Sequence, residues 1–408
     1  MNSVFSDKIS TYFDTLCIGP PSYTKNRTLN NVVAYPLLPS FLAKNSSKII
    51  TLGEAIANGL EIVDTGIINR IQVHNHSNAY VLAKESEILL GETQERSIQF
   101  SCILPPFKKT SIAVSCVEEG RPAIPNKIFT DHGACPWPIR SFKNEQLARN
   151  GEPIQFWVWE RIRKYLKDTK TESSTHSLYN SIKKHKQKLI SLSSSYPINQ
   201  GQVGVVFNVG NSLYIESFSD PELFAESYKE ILYSALSEAL FLPSDHIIDP
   251  NNIPNLFERI KQITKNASTL NNSRKHVGQT ITFGEPFLSG QALFNEKGLV
   301  HLSGHQRCLG KNKKFTALLS ELNSAQSRWE KSSPVFLSEI RSIYRNRKTC
   351  YDNFKKQLRR SSNLKNELQK KFNNHPKQHS SNTSKVKVRP FSKTMLELFV
   401  RIFRNNRD

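Results

Sequence analysis

Two short runs hold most of the chemistry this chain could perform. Glu87-Ile-Leu-Leu-Gly-Glu-Thr-Gln-Glu-Arg96 is followed further along by Val114-Ser-Cys-Val-Glu-Glu-Gly-Arg121. Each ends in a polar cluster with a glutamate, a glycine and an arginine. If strands 87–91 and 111–117 lie side by side, Glu87, Arg96, Glu118 and Arg121 bring two carboxylates and two guanidiniums together. An arginine fork suits phosphate or carboxylate, and Gln94 adds a neutral donor and acceptor. Gly91 and Gly120 let backbone N–H groups come close to a ligand. Glu87 or Glu118 is then the candidate general base. The competing reading is a structural Glu–Arg network that ties loop ends together. Both readings stand at this point.

Other residues invite chemistry and then decline it. Cys116 with Arg121, and Cys135 with Arg140, suggest a phosphatase loop. Both are C-x4-R, one residue short of the C-x5-R that wraps a phosphate, so both thiols are expected to be inert. His301 and His305 are four apart but flank Leu302-Ser-Gly304 in a strand-then-loop context, so helical facing does not apply and structural histidines are expected. No Walker A motif, G-x-G-x-x-G, G-x-S-x-G or H-E-x-x-H occurs. No metal site and no cofactor is therefore expected, and whether any ligand is turned over is left open.

The elements that must position these residues are partly legible. Residues 1–25 read as a weakly ordered lead with Gly19-Pro-Pro21 as breaker. Val32–Leu38 reads as a strand. Thr51 reads as an N-cap with Glu54 three residues on, and Gly59 ends that helix. Short runs at 68–74, 79–83, 87–90, 97–104 and 111–117, separated by Asn, Ser, Gly and Pro, predict a β-rich region. From Ser141 the pattern turns helical, with Phe156, Trp159, Ile162 and Tyr165 as a core stripe and Trp157 off it. A second basic helix is expected near 178–190. A hairpin over 203–218 follows, then a helix capped by Asp220 with Pro221 in first position and running to Phe241. A helix at 253–265 and strands at 278–283, 288–294 and 298–303 close the body. Regular βα alternation is missing. The expected class is α+β, with a β-rich N-terminal half, inserted helices, a late β-hairpin and a basic helical extension.

Several of these stretches, in this order from about Asn31 to Arg307, resemble the ARG and rhodanese-phosphatase-superfamily-associated protein domain. They are VVAYPLL, ITLGEAIANGLEIV, SEILLGETQERSIQF, IAVSCVEEGR, PIQFWVWERI, VGVVFNVGNSLYIESFSDPELF and FLSGQALFNEKGLVHLSG. Glu87, Gly91, Gln94 and Arg96 match one family pattern; Cys116, Glu118, Gly120 and Arg121 match the other. Ser86 stands where the family has a glycine, and Pro122 where it has a tryptophan. The family is mostly bacterial. Its named neighbours, ADP-ribosylglycohydrolases and rhodanese-like phosphatases, imply a nucleotide or ADP-ribose-like ligand.

Composition bounds the rest. At 408 residues with 38% hydrophobic content, 23 Phe and 12 Tyr, the chain can bury a sizeable core. Six scattered cysteines form no C-x-x-C pair, no apolar run is long enough to span a membrane, and no signal-peptide h-region is seen. A soluble, cytoplasmic protein with reduced thiols is expected. The net charge of +21 is uneven. Residues 308–408 hold 24 Lys and Arg against 7 Asp and Glu, a net of +17. The expected domains are the family-like body over 26–307, a basic helical extension over 308–374, a linker over 375–391, and a basic amphipathic helix over 392–408. Lys355, Lys356, Arg359, Arg360, Lys370 and Lys371 recur on the extension with Phe354, Leu358 and Phe372 between them. That is the footprint of a nucleic-acid or anionic-surface contact. A solvated helix packed on the body is the alternative.

Overall fold

In the computed structural model, residues 2–23, 31–40, 49–241, 252–270, 277–285 and 287–307 are described. The expected extension, linker and terminal helix over 308–408, with the six basic residues named above, lie outside them.

The chain starts with α1 (Asn2–Asp14), β1 (Leu16–Ile18), β2 (Ser22–Tyr23) and β3 (Val32–Pro39). The N-terminal lead expected to be weakly ordered is thus a helix and two strands. The reason is a buried stripe, Phe5, Ile9 and Phe13, at i, i+4 and i+8 of α1. β4 (Ile49–Thr51) runs into α2 (Leu52–Ala57). Thr51 Oγ1 accepts from Glu54 N at 3.2 Å, the expected cap, and Gly59 beyond the helix sits at φ +89.

Eight strands follow: β5 (Glu61–Asp64), β6 (Arg70–Asn75), β7 (Tyr80–Ala83), β8 (Ile88–Gly91), β9 (Arg96–Ile98), β10 (Cys102–Leu104), β11 (Lys108–Cys116) and β12 (Ile128–Gly133). The run expected as one strand over 97–104 is two strands serving different sheets. Six strands close a barrel in the order β11-β6-β5-β12-β8-β9, and β10-β7-β4 form a small separate sheet. Alternation decides the barrel's interior. Along β6, Ile71, Val73 and Asn75 are buried while Arg70, Gln72 and His74 face out.

Three helices follow, α3 (Trp137–Asn150), α4 (Gln155–Asp168) and α5 (Tyr179–Ser193). The buried stripe of α4 is Gln155, Val158, Ile162, Tyr165 and Leu166. Trp159 packs at its edge and Trp157 is exposed. The expected hairpin is β13 (Gly204–Val209) with β14 (Ser212–Phe218). Next come α6 (Pro221–Ala239), capped by Asp220 accepting from Glu222 N at 2.8 Å, and α7 (Asn252–Thr264). β15 (Ser268–Thr269), β16 (Gln279–Glu285), β17 (Leu288–Asn295) and β18 (Gly298–Arg307) end the described chain.

These strands build a nine-stranded sheet in the order β1-β3-β13-β14-β18-β17-β16-β15, with β2 on β3. Both faces are covered. Val205, Phe207 and Val209 of β13 join the core under α5 and α6, while Val206 between them joins the core under α1 and α7. The class is α+β, as the order of elements implied. Among the described residues no helix is long and apolar enough to cross a membrane.

Candidate functional site

The two family motifs meet at one end of the barrel, with a partner arrangement unlike the expected one. β8 and β11 are not adjacent; β9 lies between them and pairs with both. That places Arg96 opposite Cys116 in the β9–β11 register and turns its guanidinium into the barrel mouth. There Arg96 is fully buried. It donates to Gln94 Oε1 at 2.5 Å and toward the Cys116 sulfur, and stands 3.5 Å from Asp64 Oδ2. Asp64 in turn accepts from Thr93 Oγ1 at 2.6 Å and from Gly66 N at 2.8 Å. Gln94 Nε2 donates to the Glu118 carbonyl at 2.6 Å, which links the two motifs directly.

Glu118 is buried and its carboxylate is engaged on both oxygens. Oε2 accepts from Glu95 N at 3.1 Å and lies 3.6 Å from Arg121 Nη1; Oε1 accepts from Thr175 Oγ1 at 2.6 Å. Of Glu87, Arg96, Glu118 and Arg121, Arg121 alone reaches solvent, its side chain 34% exposed. Glu87 does not join the group. It is buried beside Lys84, whose backbone N–H donates to it at 3.0 Å, and burial raises its carboxyl above the ordinary value. Gly91 and Gly120 serve packing. A Cβ on Gly91 would stand 2.4 Å from the Ile128 carbonyl oxygen on the neighbouring strand, and one on Gly120 would stand 3.0 Å from Thr175 Cα.

Glu95, unmentioned in the sequence reading although it lies inside the first motif, is the titratable member of this corner. Burial, with Glu118 as a like-charged neighbour, pushes its carboxyl up to about 7, against a hydrogen bond from Ser177 Oγ at 2.7 Å. Ser86, in the family's glycine position, sits at φ +66 in the left-handed region. Its hydroxyl donates to Glu85 and its N–H to the Ile98 carbonyl at 2.9 Å.

A second network, not foreseen from sequence, lies where the barrel meets the large sheet. Arg140 of α3 donates to Glu85 Oε1 from Nε at 3.1 Å and to Glu216 Oε2 of β14 at 2.7 Å, with its guanidinium 3.9 Å above the Trp137 ring. His301 of β18 bridges Glu216 Oε1 at 2.8 Å and Ser101 Oγ at 2.9 Å, and Ser303 Oγ donates to Glu85 at 2.9 Å. Burial alone would raise Glu85, but Arg140 and the hydroxyl of Ser86 hold it at about 2. Every member is sealed from solvent. This is a lock between layers, and it assigns His301 the structural role expected of it. The thiols also behave as expected: burial pushes Cys116 up to about 12 and Cys135 up to about 11.

An open cavity of about 590 Å³ lies elsewhere, between α4, the β13–β14 turn, the end of α6 and the end of β18. Arg161, Lys164 and Arg307 bring three cations to it. Lys164 is paired with Asp168 at 3.2 Å. Arg161 and Arg307 make no ion pair and no side-chain hydrogen bond among the described residues, and Arg161 Nε is buried without a partner. Burial, then the nearness of Arg307, lowers the proton affinity of Arg161. Glu238 on the cavity wall accepts from the Tyr214 hydroxyl, and burial raises its carboxyl to about 7. His305 behind Tyr214 is held neutral by burial and by both arginines. No sequence signal marked this place. Its residues come from α3, α4, the β13–β14 hairpin, α6 and β18, each in an ordinary amphipathic or turn context.

Searches of curated proteins and of solved structures return no match to this chain. A family model matches residues 21–305 and takes in both motif runs and all the described strands from β2 to β17. The chain belongs to the ARG and Rhodanese-Phosphatase-superfamily-associated Protein domain family, ARPP-1.

Proposed function

We propose that this domain binds a small anionic molecule of mononucleotide size in the cavity bounded by α4, the β13–β14 turn and α6, with the motif residues serving as its frame. The observation that carries this reading is the pair Arg161 and Arg307. Among the described residues neither guanidinium has an ion-pair partner; the two share one open cavity of about 590 Å³, and the nearness of Arg307 lowers the proton affinity of buried Arg161. An anion between them relieves that repulsion and takes up the free N–H donors. The volume lies within the roughly 300–1,000 Å³ usual for small-ligand sites. Phe241 and Pro138 supply apolar wall for the uncharged part of the ligand. Glu238 adds little opposing charge while it is protonated.

The test is calorimetry and thermal shift on the full chain with inorganic phosphate, AMP, ADP-ribose and citrate, at moderate salt. Wild type should gain about 2.7 kcal/mol at a ligand concentration one hundred times Kd. An Arg161→Gln, Arg307→Gln variant should lose most of it, and Arg121→Ala should keep it. Equal stabilisation of wild type and the double variant would remove the cavity from consideration.

A second reading is favoured by a different observation. Glu87, Gln94, Arg96 and Glu118 are paired and buried, as in an interaction scaffold whose basic extension contacts nucleic acid or another polyanionic surface. If no anion binds in the cavity and polyanion binding requires residues 308–408, this reading stands in place of the first.

A further inference from the structure

We propose that Glu61, His74 and His76 form a binding site for a zinc-class divalent cation on the outer wall of the barrel. Strand register brings them together. Glu61 of β5 and His74 of β6 are directly opposed partners in an antiparallel pair, so their side chains share a face. His76 lies two residues past His74 and returns to the same side. The alternation that buries Ile71, Val73 and Asn75 in the barrel turns His74 outward, and Glu61 of β5 and His76 just past β6 are exposed beside it.

The distances fit a metal better than a hydrogen bond. Glu61 Oε2 lies 3.4 Å from His74 Nδ1 and 3.4 Å from His76 Nε2. All three donor atoms lie within 4.8 Å of one another, the one such grouping of three His, Cys, Asp or Glu side chains among the described residues. Zinc bonds of about 2.0–2.2 Å in a tetrahedron put neighbouring ligand atoms about 3.3–3.5 Å apart. The two Glu61 distances already have that value, whereas a hydrogen bond would draw the atoms to about 3 Å. The histidine pair can close by rotating His76, whose side chain is 61% exposed, while His74, 18% exposed, stays fixed by the sheet. Two imidazoles and one carboxylate suit zinc, whereas magnesium and calcium want oxygen ligands. Three protein ligands leave a fourth position for water or for a group from a partner. Lys109 of β11 opposes His74 on its other flank, on the same outer face, and its charge works against the cation.

The test uses the full chain and zinc ion alone as probe, titrated by calorimetry, with cobalt(II) as a spectroscopic substitute. Wild type should show one more site than His76→Gln or Glu61→Gln, or a loss of about a hundredfold in affinity at that site in each variant. This is at or beyond the roughly 10–100-fold cost of losing a supporting group. Cobalt should give the strong visible band of four-coordinate geometry in wild type and lose it in both variants. Lys109→Gln should tighten binding. His76 and Glu61 are exposed, so these variants should keep the fold, and unchanged melting without metal checks that they do. Equal stoichiometry and affinity in wild type and variants, a six-coordinate cobalt spectrum, or no zinc taken up by wild type in excess of the variants would each overturn the proposal.

Discussion

Replacing Arg140 with Met tests whether the buried network holds the barrel against the large sheet. Among the described residues Arg140 is the one cation hydrogen-bonded to both Glu85 and Glu216, and all three side chains are at most 2% exposed. Its loss leaves two carboxylates without their counter-charge in a region water does not reach. Breaking a buried pair by removing one partner costs roughly 3–5 kcal/mol. The lost contact with the Trp137 ring adds about 1 kcal/mol. With an unfolding entropy of roughly 2.1 cal/mol/K per residue, a domain the size of the family match over residues 21–305 shifts by about 1.7 °C per kcal/mol, so the melting point should fall by about 7–10 °C. The pH dependence carries the sharper test. Glu85 is held at about 2 in the folded protein, so its contribution is full above its unfolded value near 4.5 and is lost as pH falls through about 2. In the variant both carboxylates can take protons and relieve their burial. The gap between wild type and variant, measured by urea unfolding, should therefore be largest at pH 7 and shrink below pH 4.5. Adding Glu85→Gln and Glu216→Gln to the variant should restore much of the loss at pH 7. A gap under about 1 kcal/mol at pH 7, or one of equal size at pH 3, would refute the role given to Arg140.

Four further outcomes follow from described contacts. Glu238, raised to about 7 by burial, binds its proton more tightly folded than unfolded, so it favours folding at low pH and that advantage is lost as pH rises from about 4.5 through 7. Glu238→Gln should flatten that decline and gain on the order of 1 kcal/mol at pH 8, read by denaturant unfolding. Ser86→Gly relieves a left-handed backbone worth about 1–2 kcal/mol but gives up the hydroxyl's bond to Glu85; thermal melting should show no loss, while Ser86→Ala should be the less stable of the two. Alkylation followed by peptide mass spectrometry should modify exposed Cys17 readily and leave Cys102, Cys116 and Cys135 untouched in the native protein. Truncation to 1–307 removes a net charge of +17 and should abolish most salt-sensitive binding to DNA, RNA and anionic liposomes.

Local signals were legible where they are local. The Asp220–Pro221 start of α6, the Thr51 cap and the β13–β14 hairpin each depend on residues a few positions apart, and each stands where the pattern put it. The α3 helix was partly hidden. Its first turn holds Pro138, and its buried face carries Arg140, Lys143 and Asn144, so no apolar stripe announces it. Barrel order was hidden for another reason. Nothing near Arg96 says that Asp64, on a strand before both motifs, is its partner, or that β9 will separate β8 from β11. The buried network was hidden most deeply. Glu85, Arg140, Glu216 and His301 are single polar residues in the β7–β8 turn, one helix and two strands, and only their convergence gives them meaning. His74 closed the strand expected over 68–74, while His76 beyond it and Glu61 opposite it were not joined to it, because register is set by pairing.

The two β systems differ in how much of the chain each needs before it can close. All barrel strands lie between Glu61 and Gly133, and most of their neighbours are near in sequence. The large sheet instead pairs β3, near the N-terminus, with β13, then adds β18 last beside β14. On a ribosome the barrel can therefore assemble while β3 still waits with its hydrogen-bonding edge unsatisfied by β13. Contacts of long sequence separation form late and slowly, and a waiting edge invites association with other chains. A pulse of synthesis halted after residue 140 should yield a protease-resistant barrel with an unprotected N-terminal segment, and resistance of that segment should appear only once β13 has emerged.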